Sequence, residues 1–350
     1  MGNKIIIPTG YMGSGSSAIT DLLSEIEGFD VNNGSFEYVL LHCPDGIFDL
    51  EDKLLIGNTA MRSDEALHRF HECAKMLYKR KNYWISMYNK RVSKDFLKYS
   101  EQLIEDLTTV SFIDKVWYFQ QNPDTASMQL IHYLSRFLSK VSKRKIKIKE
   151  PLKYNKMRLA FPANEEFYSC VKSYLKKIYN ELGYDKHNLV LDQLVLPHNL
   201  FRIDNYFDEN ARFIVVQRDP RDVFILNKYF WSKINGAVPY PTDVNMFCEM
   251  YKKMRKAEKK VKDSRILKIN FEDLIYQYDS VVENIYEFIG VSASEHRNKF
   301  KFFNPEISIN NTQLFVLNEY KEEADVIKDK LKEYIYDFPY INKSDSSKCF

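Results

Sequence analysis

The chain opens on a short apolar strand pattern, Lys4-Ile5-Ile6-Ile7-Pro8, which runs directly into a glycine- and serine-rich loop at Thr9–Ser17. Helical spacing follows at Ala18–Ile26, with Ile19, Leu22, Leu23 and Ile26 on one side, and Gly28 closes it. Strand, glycine loop and helix in immediate succession are the start of a βαβ unit. Further short apolar strands are expected at Asn188–Asp192, Arg212–Gln217 and Arg265–Asn270. Helical patterns separate or follow them at Glu165–Leu182, Pro220–Trp231, Thr242–Lys262, Asp273–Gly290 and Ala324–Tyr336. This alternation predicts an α/β fold of three layers, a central parallel sheet covered on both faces. Ligands of such sheets bind beyond the carboxyl ends of the strands. The loops after Pro8, Asp192, Gln217 and Asn270 should therefore surround one crevice.

The stretch from about Ser63 to Ser142 reads as mainly helical, with helices at Ala66–Arg80, Ser93–Leu107 and Ser127–Leu138. The expected organisation is a single domain over 1–350. Its core covers about 1–60 and 185–315, a helical insertion about 61–184, and a C-terminal helix about 316–340. The basic run Lys140–Lys149 reads as a solvated edge strand, where lysines discourage unwanted pairing; nucleic-acid contact is its sharper alternative. With 51 Lys and Arg against 48 Asp and Glu, the net charge is only +3, which argues against a dedicated nucleic-acid binder. Five widely spaced cysteines form no metal-ligand or disulfide pattern. The N-terminal apolar run ends after three isoleucines at Pro8, and no later stretch has the length of a membrane span. The expectation is a cytoplasmic chain without stable membrane insertion.

Three motifs carry chemistry. In Gly10-Tyr11-Met12-Gly13-Ser14-Gly15-Ser16-Ser17 the glycines let the backbone approach a ligand closely, the serines add hydroxyls, and the loop enters a helix. An anion belongs there. A nucleoside-triphosphatase loop would carry Lys where Ser16 stands, so a metal-dependent ATP site fits less well. In Phe213-Ile214-Val215-Val216-Gln217-Arg218-Asp219-Pro220-Arg221-Asp222 a buried strand delivers Arg218 to the same crevice, with a fork of donors suited to phosphate. A structural Arg–Asp pair is the plain alternative. The third motif, Lys268-Ile269-Asn270-Phe271-Glu272-Asp273-Leu274, ends a strand in two acids before a helix.

Together these motifs resemble the sulfotransferase family, and in particular its bacterial-type carbohydrate members. The loop Gly13–Ser17, the Arg218–Asp222 block, the Glu272-Asp273-Leu274 strand end and the later Tyr286-Glu287-Phe288-Ile289-Gly290 follow the family's order over about residues 4–40 and 188–312. The resemblance implies a P-loop-like fold, no metal, and 3′-phosphoadenosine 5′-phosphosulfate (PAPS) as co-substrate. It implies that Gly13, Ser14, Gly15, Ser16 and Ser17 bind the 5′-phosphosulfate end and that Arg218 binds the 3′-phosphate. Ser308 and Asn311 would lie on the loop that closes over the nucleotide. Two positions depart from the family. Gly13 stands where a Lys or Arg is usual, so Lys4, Arg62 or Lys153 would have to supply the cation. Leu226 stands where a Ser is usual, so Asn227 or Arg221 would have to supply the donor.

The proton acceptor is left among Glu37, Asp192 and His42. Glu37 sits at a distance after the first helix comparable to a Glu of glycan-modifying relatives. Asp192 ends a strand where small-molecule relatives place a His. His42 lies close to Glu37. The expected acceptor is a small molecule or glycan hydroxyl, with 24 Tyr and 24 Phe available to line its pocket. The competing readings are a P-loop small-molecule kinase using ATP and Mg²⁺ and a non-catalytic nucleotide-binding protein.

Overall fold

A computed structural model describes residues 2–31, 36–79, 84–113, 116–121, 126–143, 152–236, 238–341 and 346–348. The chain divides into two compact units. One comprises Met1–His42, Tyr83–Ile85 and Tyr179–Phe350; the other comprises Cys43–Asn82 and Ser86–Ile178. Seven strands occur among the described residues: β1 Ile5–Gly10, β2 Phe29–Val31, β3 Val110–Ile113, β4 Lys156–Leu159, β5 Asn188–Val190, β6 Ala211–Gln217 and β7 Ile266–Asn270.

The first unit is built on a five-stranded parallel sheet of order β2-β5-β1-β6-β7, flanked by helices. The α/β architecture expected from the sequence is therefore present. β1 lies at the centre and is buried along its whole length, which a strand covered on both faces requires. Ile6, Val190, Ile214, Val216 and Ile269 of the sheet pack with Ile19, Leu22 and Leu23 of helix α1 (Ser17–Leu23) and with Ile285 and Ile289 of the Tyr278–Ile289 helix. A second cluster joins Val223–Leu226, Phe247, Tyr251, Leu314 and Ile327.

Several boundaries differ from the sequence expectations. The edge strand β2 carries little apolar signal and was not foreseen. α1 ends at Leu23, three residues early, and the chain makes a single bridge at Ile26 with His296. The Pro220–Trp231 helix is α-helical only to Ile225 and continues as a π-turn over Leu226–Trp231. The Asp273–Gly290 helix breaks at Gln277.

The second unit is helical, with helices Ile47–Leu55, Ala60–Lys79, Phe96–Leu107 and Ala126–Val141, all but the last turn of Asn164–Glu181, and the antiparallel pair β3–β4. Buried Asp64 accepts the backbone N–H groups of Tyr118 and Arg158. Lys140 lies on a helix and not on the edge strand expected for the basic run; residues 144–149 fall outside the described residues, as does the Gly34-Ser35 stretch before Glu37. Among the described residues no helix is long and apolar enough to cross a membrane.

Candidate active site

The register of the sheet fixes where the site begins. Leu191 and Gln193 donate to the Ile6 and Pro8 carbonyls, so the next N–H of β1 in this pattern would come from Pro8 and would meet the Leu191 carbonyl. Proline has no N–H to give. The Leu191 carbonyl instead accepts from Leu194 N–H at 3.3 Å, closing a turn with Asp192 and Gln193 at its corner. Gln193 adopts a left-handed φ of 60° there. Its side chain turns to the glycine loop. Oε1 accepts from the Thr9 hydroxyl (3.1 Å) and Nε2 donates to Ser16 Oγ (2.8 Å). With an acceptor position of Ser16 so occupied, the Ser16 hydroxyl hydrogen is directed elsewhere, as a donor should be at an anion site.

The loop itself has no room for side chains at its glycines. Gly13 and Gly15 have φ of +80° and +88°. A Cβ on Gly10 would come within 2.1 Å of Ser14 Oγ, one on Gly13 within 2.8 Å of Asn227 Nδ2, and one on Gly15 within 2.7 Å of the Phe271 ring. Ser14 N–H donates to the Tyr11 carbonyl, while Ser14 Oγ is buried without a hydrogen-bond partner. Gly15→Ala should cost roughly 1–2 kcal/mol from the left-handed backbone alone and should also displace Phe271. Chemical denaturation of the variant checks this, and an unchanged midpoint would mean the loop is not held in this conformation.

Arg218 closes the site from the other side. Its Nη1 donates to the Gly13 carbonyl at 3.2 Å, its Nη2 to the Asn311 carbonyl, and its guanidinium lies 4.3 Å from the centre of the Phe271 ring. One side chain thus joins the loop, the end of β6, the residue after β7 and the segment around Asn311. Among the described residues, Asn311 Oδ1 is buried without a hydrogen-bond partner. The acids around Arg218 have other tasks. Glu272 accepts from Asp219 N–H (2.8 Å), and Asp222 accepts from the N–H groups of Gln313 and Leu314, pinning that segment. Burial pushes Glu272 up to about 8 and Asp222 up to about 7, while the nearby Arg218 charge pulls both down.

The remaining nucleotide-site candidates divide. Asn227 is buried, donates to the Val223 carbonyl at 2.8 Å and packs beside Gly13. Arg221 is bound to Asp219 through two bonds of 2.9 and 2.7 Å and stacks on Phe315 at 3.6 Å, the structural Arg–Asp pair weighed as an alternative for this motif. Ser17 is exposed at the start of α1, and Ser308 ends the short Pro305–Ser308 helix. Of the three proposed cations, Lys4 donates to the Ile289 carbonyl at the amino end of β1, the opposite end from the loop. Arg62 and Lys153 belong to the second unit, where Arg62 donates to Gly57 and Asp52 and Lys153 pairs with Glu72. Besides Arg218, the structure brings Arg255 to the loop, 4.1 Å from the Tyr11 ring centre and 3.8 Å from Glu258.

The three proton-acceptor candidates gather around the 191–194 turn. Tyr38 N–H donates to the Asp192 carbonyl at 2.8 Å, bringing Glu37 to that corner. Burial pushes Glu37 up to about 7. Asp192 is held well above the ordinary carboxylate range, first by burial and then by the nearby charges of Glu37 and Asp21, against a downward pull from the Thr20 hydroxyl. His42 Nε2 bonds the Gln193 carbonyl at 2.9 Å, and burial lowers its pKa to about 4, so it is a neutral ring bracing the turn.

The profile of the sulfotransferase family matches residues 118–295. The chain belongs to the sulfotransferase family. The matched span includes residues 118–187, which the motifs alone left outside the resemblance, and the glycine loop precedes it. No curated protein sequence matches. Solved structures similar to this sulfotransferase include the sulfotransferase domain of the curacin biosynthetic pathway, at 13% identity and TM-score 0.40 over 97% of this chain and 99% of that one. A sulfotransferase of Mycobacterium avium is 13% identical with TM-score 0.37, over 96% and 77%. A retinol dehydratase in complex with androsterone and inactive cofactor PAP is 12% identical with TM-score 0.33, over 99% and 84%.

Proposed function

We propose that this sulfotransferase moves the sulfuryl group of PAPS to an acceptor hydroxyl, on a carbohydrate, in the cytoplasm. The observation that carries the PAPS reading is the bond from Arg218 to the Gly13 carbonyl, which puts a guanidinium fork and a glycine cradle at one site. PAPS carries anionic groups at both ends of its nucleoside and supplies an activated sulfuryl group. The residues present suit it. Gly13 and Gly15 leave backbone accessible, buried Ser14 Oγ awaits a partner, and Gln193 orients Ser16. Transfer requires a proton to leave the acceptor oxygen as its bond to sulfur forms and the bridging bond to phosphate breaks. Glu37 is the group poised to take it, because a base near 7 is both available and strong enough at neutral pH. Asp192 stands at the same turn, raised by burial and by the charge of Glu37. The carbohydrate reading rests on the abundance of aromatic side chains for stacking and on basic groups suited to acidic sugars.

A thermal-shift panel tests the nucleotide. Adenosine 3′,5′-bisphosphate should raise the melting temperature, and ATP with Mg²⁺ should not, because only a ligand of the native state stabilises it. The reverse pattern would favour the kinase reading.

A further inference from the structure

The Ala126–Val141 helix is turned inside out. Leu130, Leu134, Phe137 and Val141 recur at the spacing of one helix face, and their side chains are 59%, 47%, 63% and 65% exposed. Ser135, on another face, is buried. A helix that merely completed a hydrophobic core would present the opposite arrangement. At ~100° per residue, Lys140, Arg136 and Lys143 follow along one flank of the apolar stripe, and all three are exposed. No Asp or Glu occurs from Ala126 to Lys149, whereas the whole chain of 350 residues is nearly neutral at +3.

We propose that this helix docks the protein on an anionic lipid surface, lying in the plane of the interface. The apolar stripe enters the headgroup–acyl boundary, and Arg136, Lys140 and Lys143 lay their methylene stems beside it with their charges among the lipid phosphates. Charge decides between occupants. A second copy of this chain would place like-charged flanks against each other, and a polynucleotide would leave the four apolar side chains in water. The helix is 16 residues long, too short to span, so the attachment is peripheral and reversible. The reading is independent of sulfuryl transfer.

The test is flotation of the full chain with phosphatidylcholine vesicles and with vesicles in which about a third of the lipid is phosphatidylglycerol. The wild type should bind the anionic vesicles about tenfold or more better than the neutral ones, and high salt should erase the difference. Leu134→Ser with Phe137→Ser should weaken anionic binding about tenfold or more. Lys140→Glu with Lys143→Glu should remove the preference for anionic lipid. The melting temperature of the serine variant should stay close to that of the wild type, because Leu134 and Phe137 are 47% and 63% exposed. Absence of anionic binding, unchanged binding of the serine variant, a marked fall in its melting temperature, or a dimer that the serine variant abolishes would each overturn the proposal. Equal retention of both variants on single-stranded RNA, with no vesicle binding, would do the same.

Discussion

Arg218→Ala is expected to weaken binding of adenosine 3′,5′-bisphosphate by about 100-fold, equivalent to ~2.7 kcal/mol, and to erase most of its thermal shift. Two losses combine. The variant lacks the forked donor proposed for the 3′-phosphate, and it unfastens the Gly13 carbonyl from the Asn311 carbonyl, so the loop and the closing segment are no longer held in register. Arg218→Lys separates the two. An ammonium keeps the charge, but it has no planar fork with which to reach both carbonyls while stacking on Phe271. It should recover part of the affinity and little of the loop order. Titration calorimetry reads the first and chemical denaturation the second. Equal affinity in the wild type and Arg218→Ala would place the 3′-phosphate elsewhere.

Glu37→Gln should lower turnover by about 10²–10⁴-fold while leaving bisphosphate binding intact. The pH profile carries the sharper test. A base with a pKa of about 7 is protonated and inactive below that value, so wild-type kcat/KM should rise with pH and level off above it. Asp192→Asn should keep that limb, since the proposed base is still present; Glu37→Gln should lose it. The same shift has a stability consequence. The folded protein binds the Glu37 proton more tightly than the unfolded chain, so this group's contribution to stability falls as pH rises from about 4.5 towards 7. Glu37→Gln should therefore melt higher than the wild type at pH 8 and alike at pH 4. A profile whose limb disappears in Asp192→Asn and persists in Glu37→Gln would exchange the two roles.

Much of the parallel sheet was legible because β1 and β6 are buried along most of their length, and continuous apolar runs such as Phe213–Val216 have few other uses. β2 was not, since Phe29-Asp30-Val31 lies at an edge and has no such run. The glycine loop and Arg218 could be read because their chemistry needs particular residue types at strand ends. Gln193 could not. Its role depends on the absent N–H of Pro8 and on a left-handed backbone, neither of which makes glutamine more suitable than another residue until the turn is seen. Phe271 and Arg255 were missed for a related reason: each acts through the face of a ring, and ring stacking leaves no spacing in the sequence. Arg221 shows the converse. Its place in the motif suggested a ligand, but Asp219, two residues earlier, engages it first.

The position of β1 bears on how the chain is made. Of the sheet's five strands, the middle one is synthesised first, and its two neighbours are encoded about 180 and 200 residues later. At ordinary synthesis rates the segment Ile5–Gly10 waits roughly 10–40 s for them. Throughout that interval three consecutive isoleucines have no native partner strand. Sheltering this hexapeptide during translation, more than the final stability of the sheet, should govern the yield of active protein.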